Sequence, residues 1–225
     1  MKIQTLGFAA LAMVQKLLSL TCFLIAAGTL TYLRGWLYFI PYLLITAVTL
    51  FILLHRNPNA LGFPEKDAPK GTGLDITLRN ICSPLAFFGI YIAAGLDVRF
   101  HLTHDQTWLV AVGIILSLIT NSLMSWALLY NPYYESDSPM LKESHPTVCT
   151  KGPYALVRHP GYSFMAFWAL SPALSYGIIT TVVATVIIIL LILRIYFEDR
   201  ALMHSFSGYP DYAKKVRYRM IPFIW

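Results

Sequence analysis

Two short polar stretches carry most of this chain's capacity for chemistry. The first is His145-Pro146-Thr147-Val148-Cys149-Thr150-Lys151-Gly152-Pro153-Tyr154-Ala155-Leu156-Val157-Arg158-His159-Pro160-Gly161-Tyr162. The second is Arg194-Ile195-Tyr196-Phe197-Glu198-Asp199-Arg200, at the end of a long apolar run. On a helix, Arg194 and Glu198 are four residues apart and share a face. An ionisable pair near a membrane boundary that faces a helix bundle is a functional-site hypothesis by default. The plainer readings are a surface ion pair, worth well under about 1 kcal/mol, and headgroup contacts for Arg158 and His159. His145, Cys149 and His159 are residue types that bind zinc, but their spacing matches no standard ligand set, so no metal is expected. Gln15 and Lys16, in the middle of an apolar run, read as packed against other helices or snorkelling rather than catalytic.

The elements that position these residues follow from composition. The chain has 225 residues, 57% of them hydrophobic and 12% charged, with a mean hydropathy of +0.60. An ordinary soluble domain is about 25% charged. With 17 basic and 11 acidic residues no water-facing surface can cover so much Leu, Ile and Phe, and the chain reads as an integral membrane protein. Cys22, Cys82 and Cys149 are widely spaced and form no CxxC pair, which argues against a disulfide framework or a zinc ribbon. The first apolar run is too long for the core of a secretory leader.

A spanning helix needs about 20 apolar residues. Leu6–Leu30, Trp36–Leu54, Leu78–Leu96 and Trp108–Tyr130 each supply them. The region Tyr162–Phe197 is too long for one span, and Ser171-Pro172 and Ser175-Tyr176-Gly177 predict a hairpin within it. Its first leg, Tyr162–Leu170, would be only about 13 Å of helix, short enough to start within protein. The fold class expected is therefore all-α: a multi-pass transmembrane bundle of about five to six helices, with a C-terminal helical hairpin.

Basic residues orient this bundle. With the N-terminus cytoplasmic, fourteen Lys and Arg residues fall inside, Arg34 and Arg99 fall outside, and Lys16 lies within the first span. Such asymmetry obeys the positive-inside rule, and it puts the long polar loop Asn131–Pro160 and the basic tail on one cytoplasmic face. The net charge of +6 is thus a topology signal, and no nucleic-acid partner is expected.

The order and spacing of the motifs are similar to those of the isoprenylcysteine carboxyl methyltransferase family. The resemblance rests on Gly152-Pro-Tyr154-x-x-x-Arg158-His159-Pro160-x-Tyr162, on Arg194-x-x-x-Glu198-Asp199, and on the ending Gly208-Tyr-x-x-Tyr212-x-x-x-Val216-Arg217-x-Arg219-x-x-Pro222-x-x-Trp225. Upstream, Ala94-Gly-Leu-Asp97-x-Arg99-Phe100 and Asn131-Pro-Tyr-Tyr resemble prokaryotic members. The likeness runs over roughly residues 55–225. Two departures stand out: Phe164 where many relatives have Gly, and a single Glu198-Asp199 pair where some have a longer acidic run.

The resemblance implies one integral membrane methyltransferase domain over residues 1–225, using S-adenosyl-L-methionine and releasing S-adenosyl-L-homocysteine. It implies that the cofactor is held by about residues 131–225: His145, Pro146, Thr147, Val148, Tyr154, Arg158, His159, Pro160, Gly161 and Glu198. Arg194 falls on the substrate side, and Arg194 and Glu198 are the residues expected at the reacting centre. The partners implied are membrane lipids and an amphiphilic or lipidated acceptor, small molecule or protein; no oligomeric state is implied. The membrane would be the bacterial plasma membrane or endoplasmic reticulum, with the active site facing the cytoplasm.

The chemistry of the residues agrees. A guanidinium such as Arg158 can grip the cofactor carboxylate with two parallel bonds, and Tyr154 or Tyr162 can offer a ring to adenine or to the sulfonium. Methyl transfer needs positioned reactants and no protein nucleophile, consistent with a site lacking Ser-His-Asp or Cys-His. A carboxylate acceptor needs a cation to place it, which Arg194 supplies; an amine acceptor, as in phospholipid N-methylation, needs a base, and Glu198, Asp199 and His159 leave that alternative open. A membrane reductase using NADPH and a non-catalytic membrane scaffold are the remaining readings. The absence of GxGxxG and of inverted repeats counts against a nicotinamide enzyme and a transporter, respectively.

Overall fold

The computed structural model describes residues 3–56, 73–104, 106–130, 148–205 and 208–225. Helices dominate: α1 (Ile3–Ala27), α2 (Leu33–Arg56), α3 (Gly73–Pro84), α4 (Ile90–Arg99), α5 (Thr107–Tyr130), α6 (Pro160–Ser175), α7 (Ile178–Ser205) and the short α8 (Tyr209–Lys215). A π-helical turn, Leu85–Gly89, joins α3 to α4. It follows Pro84, whose ring lacks an N–H and displaces the preceding carbonyl, so the ladder resumes with a wider turn. Among the described residues five helical stretches are long and apolar enough to cross a membrane: Ala9–Ala27, Leu33–Arg56, Ile76–Arg99, Thr107–Tyr130 and Ile178–His204. The protein is an all-α, multi-pass integral membrane protein.

The expected C-terminal hairpin is present, and of its two expected interruptions the turn falls on Ser175-Tyr176-Gly177. Pro172 lies inside α6, and the chain reverses only at Tyr176-Gly177, where His104 N–H donates to the Tyr176 carbonyl (2.7 Å). The first leg is therefore 16 residues, about 24 Å at the helical rise, rather than the short leg that a break at Ser171-Pro172 would leave. Proline is tolerated because its own carbonyl still receives the Tyr176 N–H (2.9 Å). Ser171, freed from breaking the helix, hydrogen-bonds Tyr38 of α2 instead (2.8 Å).

Packing is aromatic at the centre. Phe23, Tyr38, Phe39, Tyr91, Trp168 and Tyr176 form one buried cluster, with ring centroids as close as 5.0 Å for Phe39–Tyr91. On the α5–α6 seam, a side chain at Gly113 would meet Ser175 Oγ at 2.2 Å and the Ser171 carbonyl at 2.6 Å, so the helices touch at backbone distance. Lys16 packs against other helices, its Nζ 5.2 Å from the ring centroids of both Tyr42 and Phe87. The π turn also serves α1, since Ser19 donates to the Phe87 carbonyl (2.7 Å).

One buried acid fixes the far end of the hairpin. Asp97, fully buried, accepts the N–H of Ile179 on Oδ1 (3.0 Å) and the N–H and hydroxyl of Thr180 on Oδ2 (2.9 and 2.6 Å). It caps α7 from a neighbouring helix, satisfying donors that have no partner within their own first turn.

Candidate functional site

Both polar clusters meet at the other end of the hairpin. Here Arg158 and His159 lead into α6, with Pro160 at the first helical position, where its fixed φ suits the start of a helix. Upstream, Gly152 has φ +60°, and a side chain there would strike the Tyr130 ring at 2.7 Å. Glycine lets Gly152–Ala155 turn tightly over the end of α5 and buries Tyr154 and Val157. The carbonyl of Tyr154 accepts the Tyr212 hydroxyl (2.7 Å).

Asp199 is the hub. It is 2% exposed, and its carboxylate receives Arg158 Nη2 (3.1 Å), Arg219 Nε (2.8 Å), His159 Nε2 (3.3 Å) and the Tyr209 hydroxyl (2.7 Å). Arg158 Nε also stands 2.9 Å from Oδ1 but off the N–H axis, so this second contact is Coulombic. The Arg158 side chain is 9% exposed, and its Nη1 reaches the carbonyls of Ala213 and Val216 at 3.5 and 3.4 Å. Burial and the Asp199 charge push the Tyr209 phenol well above the usual tyrosine range, keeping it a donor.

The tail closes over this hub. Tyr209, Tyr212, Ala213 and Val216 form a small core with Val148 and Leu202. Beyond it the amides of Arg158 and His159 donate to the carbonyls of Tyr218 and Arg219, both at 2.9 Å, and Ser163 donates to the Met220 carbonyl (2.7 Å). The oxygen of Trp225 gathers the N–H groups of Arg219, Met220 and Ile221, and the Arg219 guanidinium lies 5.4 Å from the Trp225 ring.

A second group of residues stands one turn away and is only partly buried. The Tyr162 hydroxyl donates to Glu198 Oε2 (2.6 Å). The Arg194 guanidinium lies over the Tyr162 ring, 5.1 Å from its centroid, and the His159 ring stacks against the same tyrosine at 5.9 Å. Arg194, Glu198 and Tyr162 are all of intermediate exposure. A cation, a carboxylate and a phenol are thus held together at the edge of the bundle, an arrangement that can bind and orient a ligand carrying an anionic group.

The residues singled out from sequence therefore separate. Arg158, His159, Pro160, Gly161 and Tyr154 are brought together under the tail, Arg194 and Glu198 stand beside them, and Val148 packs on α8. His145, Pro146 and Thr147 lie outside the described residues. No metal-binding group of His, Cys, Asp and Glu occurs among the described residues. The roles of Asp199, Tyr209 and Arg219 as a clamp went unread. A readable signal existed: consecutive helical residues point about 100° apart, so Glu198 and Asp199 must serve different partners.

The model of the isoprenylcysteine carboxyl methyltransferase (ICMT) family matches residues 112–204, from the second turn of α5 to the end of α7. The match takes in both polar motifs and stops short of the tail. It is a methyltransferase family, in agreement with the resemblance carried by those motifs. No curated protein matches the chain.

Proposed function

We propose that this chain is an S-adenosyl-L-methionine-dependent membrane methyltransferase acting on the carboxylate of a lipid-like or prenylated acceptor, with residues 1–225 forming one domain and about 131–225 holding the cofactor. The observation that carries the reading is the Arg194–Tyr162–Glu198 group, set within the family-matched segment beside the Arg158-His159-Pro160 motif. When bound, the cofactor supplies an electrophilic methyl on a sulfonium.

The donor set suits such a cofactor. Glu198 can accept from an amino group or ribose hydroxyls, and in this reading Tyr154, Pro160 and Gly161 would flank the cofactor together with His145, Pro146, Thr147 and Val148. Arg158 and His159 turn their side chains to Asp199, so in this reading they serve the cofactor chiefly through the loop and tail that they brace. Arg194 places the acceptor carboxylate. A carboxylate is nucleophilic without losing a proton, so the protein has only to orient it and exclude water. Of the three bases an amine acceptor could use, Asp199 is buried under four donors and His159 is bound to it, which leaves Glu198, already holding the Tyr162 hydroxyl and assigned here to the cofactor. The fourteen-to-two distribution of basic residues supports a cytoplasmic site.

The test is calorimetry on the detergent-purified protein with S-adenosyl-L-homocysteine, and NADPH as the parallel ligand. Saturable binding of the nucleoside alone is expected. Arg194→Ala should retain that affinity and lose about a hundredfold or more in turnover of a prenylated cysteine analogue. Binding of NADPH instead, or loss of nucleoside affinity in Arg194→Ala with acceptor binding intact, would overturn the assignment.

A further inference from the structure

Tyr162 touches both residues assigned to the reacting centre. Its hydroxyl donates to Glu198 Oε2 (2.6 Å), and the Arg194 guanidinium lies 5.1 Å from its ring centroid. The first contact is a charge-assisted hydrogen bond, the shorter and stronger kind. The second is a cation–π contact, which restrains a guanidinium while its planar N–H fork can still meet a carboxylate. The two reinforce one another. A phenol that donates to a carboxylate holds more electron density in its ring, and the ring face then attracts a cation more strongly.

The ring itself is held from several sides. Tyr162 lies in the first turn of α6, between His159 and Ser163. The His159 ring stacks against it at an interplanar angle of 23°, and His159 is fastened to Asp199 through Nε2 (3.3 Å) and to the Arg219 carbonyl through its amide (2.9 Å). The Ser163 hydroxyl lies 3.0 Å from the His159 carbonyl and 2.7 Å from the Met220 carbonyl. On the bundle side, Tyr162 packs against the core that contains Tyr91 and Trp168. Arg194 stands on a different helix, α7, at the end of a long side chain with many rotamers to lose when it is fixed. A rigid ring beside the guanidinium restricts those rotamers before an acceptor arrives.

We infer that Tyr162 is a positioning residue: its ring holds Arg194 in the orientation that receives the acceptor carboxylate, and its bond to Glu198 fixes the ring. This rests on the function proposed above. Substitution separates the two parts of the side chain. Tyr162→Phe keeps the ring beside Arg194 and loses the bond to Glu198, whereas Tyr162→Leu loses both. A ring that acts through Arg194 should matter to a ligand with a carboxylate and be indifferent to the same ligand without that charge.

The experiment is calorimetry on the detergent-purified chain with an N-acetylated S-prenyl cysteine and with its primary amide. The parent should prefer the carboxylate about tenfold or more, as expected for a hydrogen bond between charged groups. Tyr162→Phe should keep most of that preference. Tyr162→Leu should lose most of it, approaching Arg194→Ala, with affinity for the amide within about twofold of the parent. In turnover, kcat/KM for the carboxylate should be about tenfold lower in Tyr162→Leu than in Tyr162→Phe, and that gap should close when both are placed in an Arg194→Ala background. A carboxylate preference kept in Tyr162→Leu would overturn the role of the ring and leave the proposed function standing. Equal weakening of both ligands in Tyr162→Leu would overturn it too, since loosened packing gives that pattern. A parent indifferent between carboxylate and amide would overturn the acceptor reading itself, and this inference with it.

Discussion

Replacing Asp199 by Asn tests whether one carboxylate holds the tail on the bundle. Asn has nearly the same shape, so what is lost is the charge facing Arg158 and Arg219. The Arg219 side chain is 28% exposed and can rehydrate, whereas Arg158 at 9% cannot. Removing one partner of a buried pair costs about 3–5 kcal/mol. Because the amide oxygen still accepts a bond and Arg219 regains water, the lower end, about 3 kcal/mol, applies. At about 1.4 kcal/mol per decade, the tail should open roughly a hundredfold more often. The reporters are the amides of Arg158 and His159, which donate to Tyr218 and Arg219 and are uncovered when the tail lifts. Hydrogen exchange in detergent should show them accelerated by about two orders of magnitude, with Ile179 and Thr180, capped by Asp97, unchanged. Asp211→Asn, which removes an exposed pair with Lys214, should alter neither set. Unaltered exchange at Arg158 and His159, or equal acceleration at Ile179 and Thr180, would refute the clamp as the local determinant.

Two further outcomes follow from buried partners. Asp97→Asn leaves one oxygen for the N–H groups of Ile179 and Thr180 and turns an NH2 toward them, an unsatisfied-donor cost of about 1–3 kcal/mol. Their exchange should quicken while Arg158 and His159 stay protected, the mirror image of the Asp199 variant. Tyr209 holds its proton more tightly folded than unfolded, so its stabilisation is complete below the ordinary tyrosine range and declines as pH rises above about 10. Midpoints of thermal unfolding recorded between about pH 9.5 and 11 should fall less steeply in Tyr209→Phe than in the parent, by the contribution of one proton.

What was legible in the sequence is what depends on local pattern. Long apolar runs announce spans because the bilayer core sets their length, and the four spans expected before the hairpin fall on α1, α2, the α3–α4 unit and α5. The Gly152-Pro-Tyr154 and Arg158-His159-Pro160 motifs likewise announce a tight turn and a helix start, since each residue type has a backbone reason to be there. The length of the hairpin's first leg was misread because Ser-Pro carries a breaking signal in isolation, although Ser175-Tyr176-Gly177 does hold the turn. Inside a bundle, α2 receives Ser171 and the lost N–H of Pro172 needs no partner. The destination of Asp199 was hidden for a different reason. Its partners come from residues 158, 159, 209 and 219, a convergence set by folding of the tail.

That convergence bears on how α7 does its work. The helix is fixed at its start by Asp97 of α4 and near its end by its own Asp199, with an apolar stretch between them. Arg194 and Glu198 lie within about one turn of Asp199, so the clamp sets their height and rotation against Tyr162 of α6. Asp199 is 2% exposed and engaged by four side chains of the chain itself, so on the proposed function it would act as a positioning residue. Loosening the clamp would therefore shift the Arg194–Tyr162 contact and the Glu198–Tyr162 hydrogen bond together, and turnover would fall although no reacting group had been changed. An activity assay alone cannot separate this from loss of Arg194; tail protection can, because removing Arg194 leaves all four donors on Asp199 in place.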